Sequence, residues 1–314
     1  MTDTRIHRSR RDRTLDRTAA GRSRGAAGRR RIGLSRGPPL VLGRDRQRLR
    51  RDVRRSAAQE GEDVVEKKSP TLTVVILTLN EERNISECVA SARDADEVIV
   101  VDSGSTDHTQ ELAAAAGAKV VEHAMTNFAE QRNYANTLAK CDWVLHLDAD
   151  ERITPELLQE IRSVTATGEE DGFNVPTLNI IFGAPLRHGG WYPSYHVRLQ
   201  RRGRAGWGKD VHETAVVTGS LGRLRNPIVH HSHPDVSAFI LKLDRYTGME
   251  AAQVGGSRLS LALRAVLEPG PYFVYKYFVQ QGFRDGWRGL SIALLLAFYR
   301  CVGYLKALEL RSRA

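Results

Sequence analysis

The stretch WVLHLDADERITPELL, Trp143–Leu158, decides how this chain folds. It begins with apolar and β-prone residues, which predict a buried strand, and acidic residues follow at once at Asp148, Asp150 and Glu151. Pro155 then favours a helix start, because proline is well tolerated in the first helical turn. Carboxylates this close together repel one another unless a cation lies among them. The stretch therefore predicts a strand that ends at a cation site.

Strands and helices alternate around this stretch. Apolar, β-rich segments at 71–79, 97–102, 118–123 and 142–148 predict four strands. The segments between them, such as DHTQELAAAAG and FAEQRNYANTLAKC, show helical spacing of their apolar residues. This alternation is typical of βαβ units. We therefore predict an α/β fold with a mostly parallel, Rossmann-like sheet and helices on both faces.

The predicted strands end in polar and acidic segments: TLNEE, VDSGSTD and LDADE. The carboxyl ends of parallel strands lie at the same edge of a sheet, and open α/β sheets bind their ligands at that edge. Independent strands are not expected to place carboxylates at one edge by chance. The sequence therefore predicts a binding site there.

The chain divides into four regions. Residues 1–68 form a basic leader, 69–170 carry the alternating pattern, 171–235 predict short mixed strands and loops, and 236–314 return to helical spacing. Near the end, the segment GLSIALLLAFYRCVGYLKAL contains an apolar run of about a dozen residues, shorter than the ~20 that span a bilayer. It predicts either a buried helix or a helix that lies in a membrane interface.

Positive charge is concentrated in the leader. Residues 1–68 hold 21 Lys and Arg against 9 Asp and Glu, which gives this segment a net charge of +12. The net charge of the whole chain is +10, so the remaining residues together carry −2. The leader has too few apolar residues to order itself and is predicted to be disordered, either without a specific role or in contact with anionic lipid or nucleic acid. We expect no secretory signal and, with three widely spaced cysteines, a cytoplasmic protein.

Two motifs suggest chemistry. Asp148 and Asp150 flank one small residue, an arrangement that can hold Mg²⁺ or Mn²⁺ while phosphate oxygens take the remaining positions; a solvated acidic turn is the alternative. Asp102, at the end of the second strand, is predicted to recognise a base or ribose, and Asp107 to cap the next helix. Neither G-x-G-x-x-G nor a P-loop is present, which argues against dinucleotide oxidoreductases and P-loop nucleotidases.

The segments VVILTLNEERNI, VIVVDSGSTDHT, QRNYA and WVLHLDADERI, in this order, resemble the nucleotide-sugar-binding half of family 2 inverting glycosyltransferases, which have the GT-A fold. The later segments RHGGWYPSYHVRLQRR, VHE, HHSH and GFRDGWRGL resemble the branch that includes lipopolysaccharide-core glucosyltransferases. The resemblance implies a nucleotide pocket, a diphosphate contact and a metal-binding DxD. The residues concerned are Thr78, Asn80 and Glu81 for the pocket, Asp102 for the uracil or ribose, Arg132 for the diphosphate, and Asp148 and Asp150 for the metal.

Inverting glycosyl transfer also needs a base for the acceptor hydroxyl. In DVHET, Glu213 is the first candidate and Asp210 the second, with a structural salt bridge as the alternative. Trp191, Tyr192 and Trp207 can stack on an acceptor sugar or pack in a core. The remaining candidates are histidines, each either a ligand contact or a satisfied core residue: His212 at the acceptor site, and His230, His231 and His233 as further candidates for the metal.

The sequence thus predicts a metal-dependent inverting glycosyltransferase. It is expected to move a sugar from a nucleotide-sugar, a UDP-sugar in the first instance, to a lipid-linked or cell-envelope glycan such as lipopolysaccharide core. The expected location is the inner face of the cytoplasmic membrane, as a peripheral protein. The alternatives are a polyprenyl-phosphate sugar synthase, a nucleotidyltransferase, a non-catalytic GT-A domain, and a protein that binds nucleic acid or an anionic surface through its leader.

Overall fold

Four parallel strands form the first half of the central sheet, as the alternation predicts. They are β1 (Leu72–Thr78), β2 (Glu97–Asp102), β3 (Lys119–Glu122) and β4 (Trp143–Asp148), in the order β3-β2-β1-β4. The computed structural model describes residues 69–208 and 215–313, so the predicted leader lies outside the described residues.

Helices cover both faces of this half-sheet. They are α1 (Ile85–Ser91), α2 (Thr109–Ala115), α3 (Phe128–Leu138) and α4 (Pro155–Thr167). All seven residues of β1 are buried, because alternate side chains enter two different cores. Val74 and Ile76 pack in a core that includes residues of α1, α2 and α4, whereas Val75 and Leu77 pack in a core that includes Ala135 of α3.

The helix boundaries follow local capping. Pro155 begins α4 as predicted, and the Thr154 side chain accepts a hydrogen bond from the Leu157 amide at 3.1 Å. In contrast, α1 begins only at Ile85, although β1 ends at Thr78. Asn80 has a positive φ of 56°, and its amide donates to the Ser105 hydroxyl at 2.8 Å. The segment after β1 therefore binds the next loop before it enters a helix.

The second half of the sheet is mixed. Its strands are β5 (Glu151–Arg152), β6 (Gly172–Ile181), β7 (Ala184–Pro185), β8 (Ser194–Arg201), β11 (Leu221–Arg223) and β12 (Ile228–His233). The order continues from β4 as β8-β6-β12-β5, with β8 antiparallel to both β4 and β6. A separate two-stranded sheet pairs β9 (Ala205–Trp207) with β10 (Ala215–Val217). One sheet therefore runs through both predicted regions and brings β8 and β12 close to the end of β4.

Helices return at Val236, as predicted. They are α5 (Val236–Ala251), α6 (Arg258–Leu267), α7 (Pro269–Val274) and α8 (Gly286–Arg313), with a π-helical turn at Tyr275–Val279 and a 3₁₀ turn at Gly282–Asp285 between α7 and α8.

The expectation that the C-terminal apolar segment is too short to span a bilayer is wrong. The helical segment Gly282–Arg313 is 32 residues long and includes an 18-residue window of mean hydropathy 1.5. By length and composition alone it is able to cross a membrane, although 33% of that window is buried inside the protein. Charged residues such as Arg300 interrupt the apolar run without ending the helix, because arginine is a good helix former.

Candidate active site

The carboxylate of Asp148 lies at the carboxyl end of β4 and is held by two arginines. Arg132 of α3 donates to Asp148 Oδ1 at 2.7 Å, and Arg198 of β8 donates to Oδ2 at 3.1 Å. Burial raises the pKa of Asp148, but the two guanidinium groups outweigh burial and hold its pKa well below the ordinary value. Asp148 is therefore ionised throughout the physiological range.

Arg198 links the carboxylates of Asp148 and Glu151. Its Nη2 atom also donates to Glu151 Oε1 at 2.7 Å, and Glu151 is 1% exposed. The other oxygen of Glu151 accepts the Asp148 amide at 2.9 Å. The Nε and Nη1 atoms of Arg198 are buried and donate to no other described residue. Glu151 therefore fixes the turn after β4, and Arg198 keeps donor groups available beside Asp148.

Asp150 is oriented from the opposite side by β12 and β6. His230 Nε2 lies 3.1 Å from Asp150 Oδ2, and His230 Nδ1 lies 2.9 Å from Asn179 Oδ1. Burial lowers the pKa of His230, but Asp150 outweighs burial and raises it. With both ring nitrogens facing oxygen atoms, the imidazolium form is favoured. Among the described residues, Asp150 Oδ1 accepts no hydrogen bond.

The carboxylates at this edge suit a divalent cation. Asp148 and Glu151 are paired with the guanidinium groups of Arg132 and Arg198, whereas Asp150 faces His230 through one oxygen only. Within residues 69–208 and 215–313 no group of three or more His, Cys, Asp or Glu side chains is already arranged around a metal position. The two carboxylates predicted to bind metal, with an oxygen of Asp150 uncommitted, fit an ion that takes hard oxygen ligands and fills its remaining positions from substrate.

The Asp102 side chain is buried and hydrogen-bonded to neighbouring residues, whereas a nucleotide contact is expected to face an open pocket. The residue is 0% exposed. Its Oδ2 atom accepts from the amides of Gly104 and Ser105 and from the Gln110 side chain, at 2.8–3.0 Å, while Oδ1 accepts from the Ser105 hydroxyl at 2.6 Å. In this conformation Asp102 organises the loop between β2 and α2. A nucleotide contact by Asp102 stays a prediction.

The other predicted pocket residues lie at the same edge as Asp102. The Asn80 side chain accepts from the Thr106 amide at 2.8 Å, which ties the loop after β1 to the loop after β2. Thr78 is buried, and its hydroxyl has no hydrogen-bond partner among the described residues. Burial raises the pKa of Glu81, and Asp150 contributes to the same direction while Asn84 opposes it. The edge thus collects Thr78, Asn80 and Glu81 beside the carboxylates of β4.

A cavity of about 240 Å³ lies beside Arg132 and Arg198. Its wall is formed largely by β8, β9 and β10, and the Trp207 ring packs 4.8 Å from the Arg132 guanidinium carbon. The remaining lining residues are Asn174, Tyr195, His196, Val197 and Ala215. The cavity therefore lies between Arg132 of α3 and the strands that follow Gly172.

Three predicted residues, Asp210, His212 and Glu213, fall in 209–214 and lie outside the described residues. Trp191, predicted to stack on an acceptor, packs instead against the cluster that contains Ile292 and Leu296 of α8, and neither it nor the partly buried Tyr192 lines the cavity beside Arg198. Among the described residues, Tyr195 and Trp207 are the aromatic side chains in the cavity wall.

A family match covers the part of this edge that β1 to β8 supply. Residues 73–214 match the family model described as Glycosyl transferase family 2. The chain carries a family 2 glycosyltransferase domain. This domain includes β1 to β4, Arg132, the Asp148–Asp150 turn and the cavity wall of β8. The predicted family, GT-A type α/β fold class and enzyme class are thereby confirmed.

Relatives of the glycosyltransferase domain extend the similarity over most of the chain. Lipopolysaccharide core biosynthesis glycosyltransferase LpsC of Rhizobium meliloti (strain 1021) is 28% identical over 252 residues, 77% of this chain and 92% of its own. An uncharacterized glycosyltransferase of Rickettsia bellii (strain RML369-C) is 27% identical over 257 residues, 76% of this chain and 86% of its own.

Among solved structures, glucosyl-3-phosphoglycerate synthase from Mycobacterium tuberculosis, in complex with Mn²⁺, UDP-glucose and phosphoglyceric acid, is 28% identical. The match covers 39% of this chain and 45% of that chain, with a TM-score of 0.32. The matched region thus spans less than half of the solved protein.

The sequence predictions miss Arg198 and the link from His230 to Asp150. A local signal for Arg198 is present in YHVRLQR, where strand alternation places Arg198 on the same face as His196 and Gln200 and opposite the buried Leu199. An arginine on a central strand requires a carboxylate partner, and Glu151 is the acid next to the DAD motif. The pairing of β8 with β4, which brings the two together, has no local signature.

Proposed function

We propose that this chain is a metal-dependent inverting glycosyltransferase that moves a sugar from a UDP-sugar to a lipid-linked or cell-envelope glycan such as lipopolysaccharide core. The observation that carries the proposal is the Asp148–Asp150 turn. One carboxylate is held ionised by two arginines, and the other is oriented by His230 with one oxygen uncommitted. This turn lies at the carboxyl edge of a parallel sheet, where α/β enzymes bind nucleotides.

The donor diphosphate belongs beside this turn. Asp148 and Asp150 would hold Mg²⁺ or Mn²⁺, and the ion, when bound, neutralises the leaving diphosphate. Arg198 directs buried donor groups into the same region, and we assign it a contact with donor phosphate or sugar oxygens together with Arg132. Thr78, Asn80, Glu81 and Asp102 are proposed to form the nucleoside pocket, with Asp102 shaping it through its loop.

The proposed base is Glu213, with Asp210 as the second candidate. Trp207 and Ala215, on either side of the segment that carries them, are paired across β9 and β10 and line the cavity beside Arg198. In the reaction the bond between the sugar C1 and the diphosphate oxygen breaks, and a bond between C1 and the acceptor oxygen forms. The acceptor proton passes to the base, and UDP leaves. Attack from the face opposite the diphosphate inverts the anomeric centre.

The acceptor class is supported by the relative named for lipopolysaccharide core biosynthesis, which aligns over 77% of this chain. The aromatic residues Tyr195 and Trp207 are suited to contact the flat C–H face of a sugar ring. We propose that they, with His212, bind the acceptor, whereas Trp191 and Tyr192 support the fold around it.

The proposal is tested by transfer of labelled sugar from a panel of UDP-sugars to lipopolysaccharide core acceptors, with and without Mn²⁺. We expect metal-dependent transfer with an inverted anomeric configuration in the NMR spectrum of the product. Glu213→Gln should retain UDP-sugar binding and lose transfer, whereas Asp210→Asn, which changes the second candidate, should keep transfer. Transfer at the normal rate by Glu213→Gln would place the base elsewhere. Failure of every UDP-sugar to transfer to every such acceptor would overturn the proposed donor and acceptor classes.

A further inference from the structure

Helix α8 carries apolar side chains on two opposite faces. The inner face, which includes Ile292, Leu296 and Tyr304, is buried against the rest of the protein. The opposite face is exposed and repeats at intervals of three, four and seven residues, which places its members in one stripe along the helix. These residues are Trp287, Leu290, Leu294, Phe298 and Leu305, each between 38% and 56% exposed.

The same exposed apolar character continues in the turns before α8. Tyr275, Phe278, Val279 and Phe283 are between 47% and 64% exposed, and the Tyr277 ring contacts the rings of both Phe278 and Phe283. We call these four residues, together with the exposed stripe of α8, the outer apolar face. Monomeric soluble proteins rarely expose so many apolar residues together without a binding role.

The cations beside the outer apolar face that have no acidic partner among the described residues are Arg284 and Arg288. Residues 269–308 also contain Lys276, which is 9% exposed, and Arg300 and Lys306, which are paired with Glu268 and Asp244; the one acidic residue in this range is Asp285. The Asp285 side chain is 8% exposed, because it lies against His188 at 2.8 Å. An incoming surface therefore meets aromatic and aliphatic side chains bordered by positive charge. This combination is complementary to an anionic lipid bilayer.

The packing of α8 decides between crossing a bilayer and lying on it. Its inner face is occupied by protein, and the Tyr304 hydroxyl is hydrogen-bonded to Glu268 and accepts from Arg264 at 2.7 Å. A spanning orientation would place this ionic cluster, with Arg300 and Lys306, at membrane depth, which is costly. A helix with one face on protein and the other apolar is suited to the membrane plane.

We propose that the outer apolar face docks this protein onto the surface of an anionic lipid bilayer, with α8 lying in the plane of the interface. The leader is a poor candidate to cover the face, because 19 of its 68 residues are arginine and it would bring cations to a surface already bordered by cations. The inference concerns where the enzyme is held and does not depend on the identity of its donor or acceptor.

The first test is sedimentation of the full chain with vesicles of phosphatidylglycerol and phosphatidylethanolamine, compared with phosphatidylcholine vesicles. We expect the protein to bind the anionic vesicles, and Phe298→Glu and Leu294→Glu each to reduce the bound fraction at least about tenfold. Leu221→Glu, at an exposed apolar site on β11, is the matched control and should bind normally. All variants keep the leader, so its charge cannot account for a difference between them.

The second test is the depth of Trp287, which at 56% exposed is accessible while Trp143 and Trp207 are buried. Lipids brominated near the headgroup end of the acyl chain should quench its fluorescence more strongly than lipids brominated near the bilayer centre, and Trp287→Phe should remove the quenching. Normal vesicle binding by Phe298→Glu, or association of the chain into dimers through this face without vesicle binding, would overturn the proposal. Stronger quenching from the bilayer centre would overturn the in-plane orientation.

Discussion

Two neighbouring strands of the sheet end in an aspartate, and the two carboxylates are held in opposite ways. Asp102, at the end of β2, is fully buried, and its partners lie at 104–110, in the loop that follows and the first turn of α2. Asp148, at the end of β4, is held by Arg132, 16 residues before it, and by Arg198, 50 residues after it. The partners of Asp102 are therefore close to it in sequence, whereas Asp148 brings together two distant segments of the chain.

The two aspartates differ in where their partners come from. Asp102 accepts four hydrogen bonds, all from residues 104–110. At the end of β4, by contrast, three carboxylates share two guanidinium groups and the imidazole of His230, and an oxygen of Asp150 has no described partner. Carboxylates that the fold collects from distant segments, with one oxygen uncommitted, are a sign that a ligand completes the site.

The largest expected effect comes from removing the arginine that joins the distant segments. Arg198→Met leaves the buried Glu151 without its cation, and a broken buried ion pair costs about 3–5 kcal/mol in the free energy of unfolding. Urea denaturation measures this loss. Arg201→Met, on the same strand but 35% exposed, is the control and should cost about 1 kcal/mol or less. Equal stabilities of the two variants would mean that Arg198 does not hold the site together.

The second effect concerns activity without loss of the fold. Asp150→Ala should lower the transfer rate by at least about a hundredfold, since even residues that support a metal ligand contribute tenfold to a hundredfold. Its melting temperature should remain close to that of the unmodified chain, because the Asp150 side chain is 24% exposed. Asp94→Ala, at an exposed carboxylate, should leave the rate unchanged. A normal transfer rate in Asp150→Ala would show that the Asp150 carboxylate is not part of the active site.

The third effect tests the loop-building role of Asp102. Asp102→Ala leaves the part-buried donors of Gly104, Ser105 and Gln110 without their acceptor and should cost about 1–3 kcal/mol in the free energy of unfolding. Asp102→Asn should cost less, because it keeps one oxygen acceptor and the Ser105 hydroxyl can rotate to accept from the new amide. If Asp102→Asn instead kept full stability and lost UDP affinity, Asp102 would be a ligand contact and the contrast with Asp148 would fail.

The smallest expected effect comes from His233, whose pKa is shifted in the opposite direction from that of His230 on the same strand. Asp150 raises the pKa of His230, whereas burial lowers the pKa of His233 to about 4, with Lys242 contributing. A lowered folded-state pKa stabilises the fold above the unfolded pKa of about 6.5, and this contribution is lost as the pH falls through about 4. The free energy of unfolding should therefore fall less between pH 7 and about pH 4.5 in His233→Gln than in the unmodified chain. An identical fall in both would show that His233 is not buried in its neutral form.

Much of the fold was predictable because its signals are local. The four parallel strands lie where the apolar segments place them, and α4 begins at Pro155. The start of α1 was not predictable, because Asn80 adopts a positive φ and bonds to the loop after β2. The apolar extent of the α8 segment was underestimated, because its apolar residues lie on two faces rather than in one run.

The candidate site was predictable only in part, because only some of its residues have local sequence signals. Asp148, Asp150 and Arg132 belong to motifs within the first four strands. Arg198 and His230 reach the site through the pairing of β8 with β4 and of β12 with β6, which local patterns do not specify. Sequence reasoning therefore found the carboxylates and missed two of the side chains that hold them.

The measurement that tests the central claim most directly is calorimetric titration of UDP and UDP-glucose into the full chain, with and without Mn²⁺. The unmodified chain is compared with an Asp148→Ala, Asp150→Ala double variant and with Asp102→Asn. We predict metal-dependent binding in the unmodified chain and in Asp102→Asn, and its loss in the double variant. Metal-dependent binding of normal affinity in the double variant would contradict the assignment of the β4 edge as the donor site.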